Sequence, residues 1–242
     1  NRGSLLENCI QSAKDCLGEK ADIFVVDDSS DDIKTKEILE KVSAQGINVI
    51  ISNNKAGNNH RSKGGLYANM RMVIDNHLQP KDYQYTIFAQ DDMQFVRALT
   101  EADVEHLDRV YEYYSNSLFI YPVFYRSDKG DKLSDFYHCK STEFYFRQKG
   151  TDYAGFSAVF LANIHRLAKC DWDFPNNEKD TSTIAEKKHG PMAVHPLPFL
   201  AYTPSPPTYR KKNNTIAHFF WHRNSRNCYP IEYLTEAQVD DM

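Results

Sequence analysis

From Ser4 to Val96 the chain switches repeatedly between two apolar spacings, and this switching constrains its fold more than any other feature. Leu5, Leu6, Cys9, Ile10, Ala13, Cys16 and Leu17 recur at helical spacing, with Ser4 and Glu7 at capping-box spacing and Gly18 as the stop. Ala21 to Val26 is a short apolar run interrupted only by Asp22, the mark of a buried strand. A helix over 33–44 buries Ile38, Leu39 and Val42, and 47–51 is the next strand. Leu66, Met70, Val73, Ile74 and Leu78 form a third helical stripe closed by Pro80, and Tyr85 to Ala89 form a third strand. Helices alternating with apolar strands build a parallel sheet covered on both faces. In such sheets ligands gather at the carboxyl ends of the strands.

Two acidic clusters fall at such ends. Asp27 and Asp28 open the run that continues to Asp32, directly after the first strand. Asp91 and Asp92 follow Gln90 after the third strand, and Met93, Phe95 and Val96 resume the apolar run at once. Carboxylates wedged between apolar runs either face solvent in a turn or need compensation, because burying an unpaired charge is costly. A divalent cation such as Mg²⁺ or Mn²⁺, which takes hard oxygen ligands, is one compensation. For Asp27 and Asp28 a second reading is a helix N-cap cluster favoured by the helix dipole.

The second half is less regular. A capped helix is expected over 100–114, with strands over 117–125 and 136–146 and an apolar segment over 158–167. A polar loop over 171–180 ends in Glu178-Lys179-Asp180 and leads to a short helix stopped by His189-Gly190-Pro191. Residues 192–202 are extended, 204–214 are Pro-rich and then basic, and His218 and His222 follow. With no internal repeat and no clear linker, 1–242 is expected to form one domain.

A net charge of −4 supplies no basic field, so nucleic acid is excluded as an expected partner. The five cysteines are scattered, odd in number and without a C-x-x-C pair. They read as reduced thiols, which points to a cytoplasmic location. No apolar run is long enough for a membrane span.

Three segments resemble family-2 glycosyltransferases of the GT-A fold. FVVDDSSDD (Phe24 to Asp32) is similar to that family's nucleotide-binding turn. The loop from Asn54-Lys55-Ala56-Gly57 through Gly65-Leu66 is similar to its N-x-G…R-N-x-G element, and IFAQDDMQF to the strand carrying its D-x-D motif. Order and gaps also agree. The sequence departs at Gln90, where the first Asp of D-x-D is usual, and at Ser62-Lys63, where the family has Arg-Asn. The resemblance implies an α/β, Rossmann-like, mainly parallel sheet flanked by helices. Residues 1–97 would bind the nucleotide-sugar and 98–242 the acceptor. The family's first strand precedes the first helix, so residues upstream of Asn1 are expected.

By the same resemblance the chain transfers a sugar, with inversion, from a nucleotide-diphosphate sugar, UDP-linked by expectation. The acceptor would be a glycan or a lipid-linked hydroxyl, which allows a position peripheral to the inner face of the membrane. Asp28 would contact the base with Asp27 beside it, and Asn54, Gly57 and Lys63 would line the donor loop. Asp91 would reach the ribose. Asp92 would hold Mn²⁺ or Mg²⁺, with His218 as a further ligand and His222 competing for that role. Asp180 would be the catalytic base, with Glu178 in reserve, and Gly155 and Trp172 would line the acceptor side. Two other functions compete: a sugar nucleotidyltransferase, which would need a Gly-rich basic loop after its first strand, and a non-catalytic nucleotide-sugar or glycan-binding module.

Overall fold

The computed structural model describes residues 3–52, 65–114, 116–124, 132–140, 144–175, 177–203, 233–235 and 237–238. They fall into two compact units. Asn1–Gly65, Gln90–Ala98 and Leu200–Asp241 make the first, and Leu66–Ala89 with Leu99–Phe199 the second.

The first unit opens with α1 (Gly3–Leu17), β1 (Phe24–Asp27), α2 (Ile33–Ala44) and β2 (Asn48–Ile51). β1 and β2 pair in parallel, Val25 opposite Val49. Ile10, Val25, Ile38, Leu39 and Val42 close the core beneath them, with Leu6, Ile23, Ile47 and Val49 packed at its margin. These are the positions that the helical and strand spacings single out. One expectation shifts: α1 begins at Gly3, so Ser4 lies inside the helix rather than capping it.

The second unit contributes α3 (Leu66–Val73) and β3 (Tyr85–Phe88), after which the chain returns to the first unit for β4 (Met93–Phe95). In the second unit again follow α4 (Glu101–Tyr113), β5 (Phe119–Tyr121), β6 (Phe136–Cys139), β7 (Phe144–Arg147), β8 (Phe160–Asn163), α5 (Ile164–Lys169), α6 (Glu178–His189) and β9 (Ala193–Val194). The chain then supplies β10 (Leu200–Tyr202) to the first unit, antiparallel to β4 with Phe95 opposite Leu200.

The second unit's sheet runs β3-β8-β5-β9-β7-β6. Among the described strands, parallel pairing is found at β1–β2 and β5–β9, while the other pairings are antiparallel. The mainly parallel sheet expected from the first hundred residues is altered by β8. That strand comes from the less regular half and inserts between β3 and β5, antiparallel to both. A second difference is the segment 136–146, read as one strand, which folds back as the β6–β7 hairpin. Trp172 also moves: expected on the acceptor side, it is buried with its ring edge-on to Phe119 at 5.5 Å. Packing it among Phe119, Phe156 and Phe174 removes a large apolar area from water, which outweighs presenting the ring to a ligand.

Candidate functional site

Both acidic strand ends lie in the first unit. At the end of β1 the backbone carbonyl of Asp27 accepts from Ser52 N at 2.7 Å, one step beyond the last β1–β2 pair. The chain then turns through Ser29, whose φ of 65° is left-handed and whose hydroxyl donates to Ser52 O at 2.9 Å. The Asp27 carboxylate closes this turn on itself: Oδ2 accepts from Ser30 N at 2.7 Å and Oδ1 from Ser30 Oγ at 2.6 Å. Side-chain bonds of this kind let Asp stabilise turns at strand ends.

Asp28 is exposed and makes no hydrogen bond among the described residues. The N-cap of α2 is Asp32, which accepts from Thr35 N at 2.9 Å and Thr35 Oγ1 at 2.7 Å. Those Thr35 bonds hold the Asp32 carboxyl below the usual carboxylate range. The N-cap reading of Asp27 and Asp28 therefore belongs to Asp32. Asp27 builds the turn, and Asp28 is left presented at its surface.

The second acidic end is a tight turn between β3 and β4. Met93 N donates to Gln90 O at 3.1 Å, closing a loop over Asp91 and Asp92. One face of α1 holds the segment in place. Cys9 Sγ donates to Gln90 O at 3.4 Å, Asn8 Nδ2 to Gln94 Oε1 at 2.9 Å, and Phe95 N to Ser12 Oγ at 3.1 Å. Burial pushes the Cys9 thiol up to about 12, and the carboxylates of Asp91 and Asp92 push in the same direction. Asp91 and Asp92 are both half-buried, with Asp92 Oδ1 fully enclosed.

Among the described residues no group of three or more His, Cys, Asp or Glu side chains is placed to hold a metal ion. The donor set at this turn is two carboxylates. Mg²⁺ is commonly held by one or two carboxylates with water and substrate phosphate oxygens completing its shell. The Asp91-Asp92 turn fits an ion held in that way, through Asp92 with Asp91 beside it.

Glu178 and Asp180 lie in the second unit, in the first turn of α6 rather than in the loop before it. Asn177 caps the helix, accepting from Asp180 N at 2.8 Å, and its amide donates to Asp180 Oδ2. Asp180 is exposed. Glu178 Oε1 accepts from Ala158 N at 2.7 Å and Ser157 Oγ at 3.3 Å, tying the start of α6 to the strand-entry segment before β8. Glu178→Ala would leave the buried Ala158 N–H without its acceptor and is expected to cost about 1–3 kcal/mol, whereas Glu178→Gln keeps an acceptor and costs less. Urea denaturation checks this, and equal midpoints for Glu178→Ala and the parent would show that the tie contributes nothing. Asn54, Gly57, Lys63 and His218, with His222, lie outside the described residues.

Sequence reasoning missed the supporting groups, Ser30, Asn8, Cys9, Ser12 and Thr203. Ser30 has a local signal, its place three residues after Asp27 in a turn. The others act across the tertiary fold. Thr203 reaches Asp92 over 111 residues.

A search of curated proteins found no match. Among solved structures the chain is similar to the crystal structure of S. aureus TarS 1-349, at 14% identity and a TM-score of 0.56, over 84% of this chain and 57% of that one. The chain thus spans a little over half of that structure's length. At this identity the likeness carries the fold, and with the mixed α/β architecture the fold is GT-A. The model of the family described as Glycosyl transferase family 2 matches residues 1–161, which contain both acidic strand ends. On that match, covering more than half of its 242 residues, the chain belongs to glycosyl transferase family 2.

Proposed function

We propose that this chain carries the nucleotide-sugar site of a metal-assisted, inverting glycosyltransferase, with a UDP-linked donor and a glycan or lipid-linked hydroxyl as acceptor. The observation that carries the reading is the pair of acidic strand-end turns in one unit, both inside the family match. In this reading Asp28, exposed on a turn that Asp27 braces, accepts a hydrogen bond from the donor base. Asp91 would face the ribose, and Asp92 would hold the cation. Asn54, Gly57 and Lys63 complete the donor loop, and His218 adds a ligand. A bound Mn²⁺ or Mg²⁺ supplies Lewis-acid neutralisation of the charge that develops on the leaving diphosphate.

The transfer itself is a displacement at the anomeric carbon. The acceptor oxygen forms the new bond as the sugar–phosphate bond breaks, its proton passes to a carboxylate, and the diphosphate leaves with the bonding electrons. Asp180 is the carboxylate assigned to that proton, because it is exposed and Asn177 holds one of its oxygens in place. Glu178, tied to Ala158 N, anchors the helix that carries it.

The test is product identity. The purified chain, given a panel of UDP-sugars, Mn²⁺ and oligosaccharide acceptors, is expected to release UDP. Pyrophosphate formed from UTP and a sugar-1-phosphate would instead identify a sugar nucleotidyltransferase. UDP binding without turnover across the acceptor panel would identify a binding module.

A further inference from the structure

We infer that Thr203 is a positioning residue for Asp92, acting through the Asp92 backbone carbonyl. The inference rests on the reading of Asp92 as a cation ligand. β4 and β10 pair as far as Met93 opposite Tyr202. One step further, Thr203 N donates to Asp92 O at 3.0 Å, which continues the ladder. The Thr203 hydroxyl donates to the same oxygen at 3.1 Å, and this second bond is not part of any ladder. A carbonyl oxygen has two lone pairs, and Thr203 supplies a donor to each. Thr203 is itself buried, at 4% exposure, so water does not compete for the hydroxyl.

Two donors on one carbonyl fix the peptide plane that follows Asp92. On the preceding side, the Met93 N bond to Gln90 O closes the turn, and Cys9 Sγ holds the same Gln90 oxygen. The Asp92 backbone is therefore held from both sides, and its Cα–Cβ direction is set before any ligand arrives. Octahedral cations tolerate little misplacement of a carboxylate, so a preset direction raises affinity by reducing what must be ordered on binding. The Thr203 hydroxyl bond is made to Asp92 itself, and a side-chain substitution removes it without touching the strand pairing.

Thr203→Val keeps the shape and the backbone N–H and deletes only the hydroxyl. Groups that orient a metal ligand typically change metal affinity by about 10–100-fold when removed, and a bond to the ligand's backbone belongs at the lower end, about tenfold. Mn²⁺ affinity is read by electron paramagnetic resonance of free Mn²⁺ in the presence of UDP, for the parent, Thr203→Val, Thr203→Ser and Asp92→Asn. The expected result is about tenfold weaker Mn²⁺ binding in Thr203→Val and parental affinity in Thr203→Ser, which keeps the hydroxyl. Should Thr203→Val fail to fold, Thr203→Ala deletes the same bond without placing a second methyl in its pocket. Parental Mn²⁺ affinity in a folded Thr203→Val, alongside weak binding in Asp92→Asn, would overturn the positioning role alone. Parental affinity in Asp92→Asn would overturn the cation reading, and the Thr203 role with it.

Discussion

Replacing Gly155 by alanine is expected to destabilise the second unit by about 3–5 kcal/mol, the upper range for a single substitution that overfills a packed interior. A Cβ at this position would stand 2.3 Å from Glu186 N, 2.4 Å from Ser182 O and 2.9 Å from Glu186 Cα. All three are backbone atoms of α6, so no rotamer change relieves the clash, and the helix itself must move. That helix is fastened where it crosses. Gly155 N donates to Ser182 Oγ at 3.0 Å, and Gly150 N to Glu186 Oε1 at 2.8 Å. Moving α6 away would lengthen both bonds and the Glu178 tie to Ala158 N.

A control separates steric from conformational cost. Gly150 has φ of +81° and nothing within 4 Å of its missing Cβ, so Gly150→Ala carries only left-handed backbone strain, about 1–2 kcal/mol. Urea denaturation of the three proteins reads the difference. If Gly155→Ala loses no more than Gly150→Ala, α6 can slide without cost and the close approach does not hold it.

This crossing also shows where sequence reading stops. Gly155 is visible in the sequence, and a glycine before an apolar segment reads as a turn. Its function as the point where a helix touches a backbone depends on α6, which begins 23 residues later and packs there only in three dimensions. The first unit was more legible, because the residues that build it are local. Val25, Ile38, Leu39 and Val42 lie on the predicted strand and helix and form the observed core. The acidic turn at Gln90–Asp92 was legible as a strand end, but its supports were not. Asn8, Cys9 and Ser12 belong to a helix more than eighty residues earlier, and Thr203 to a strand 111 residues later. The departure at Gln90 gains a physical account as well. What position 90 contributes to the turn is its carbonyl, which accepts from both Met93 N and Cys9 Sγ, and any residue type provides that atom.

Asp92→Asn is expected to reduce donor turnover by about 10²–10³-fold, comparable to removing one preorganised charge-stabilising group from an active site. The substitution keeps the size and shape of the side chain and removes its charge. Charges about 4 Å apart interact by about 4 kcal/mol at an effective dielectric of about 20, so a neutral amide forfeits most of its hold on a divalent ion. Turnover is read as UDP released from UDP-sugars. Titration of UDP with and without Mn²⁺ then locates the loss. Asp92→Asn should bind UDP as the parent does without Mn²⁺ and lose the gain that Mn²⁺ confers. Asp28→Asn, at the exposed turn after β1, should weaken UDP binding equally with and without Mn²⁺. Asp27→Asn should act differently again. Both of its carboxylate oxygens accept from Ser30, and an amide can accept at only one, so the loss appears first as lowered stability of the turn. Turnover within about tenfold of the parent in Asp92→Asn is too small a loss for a ligand of a catalytic cation and would remove Asp92 from that role. Transfer would then proceed without a cation held at Asp92, so the chain would stay a transferase and the metal-assisted reading of this turn would fall.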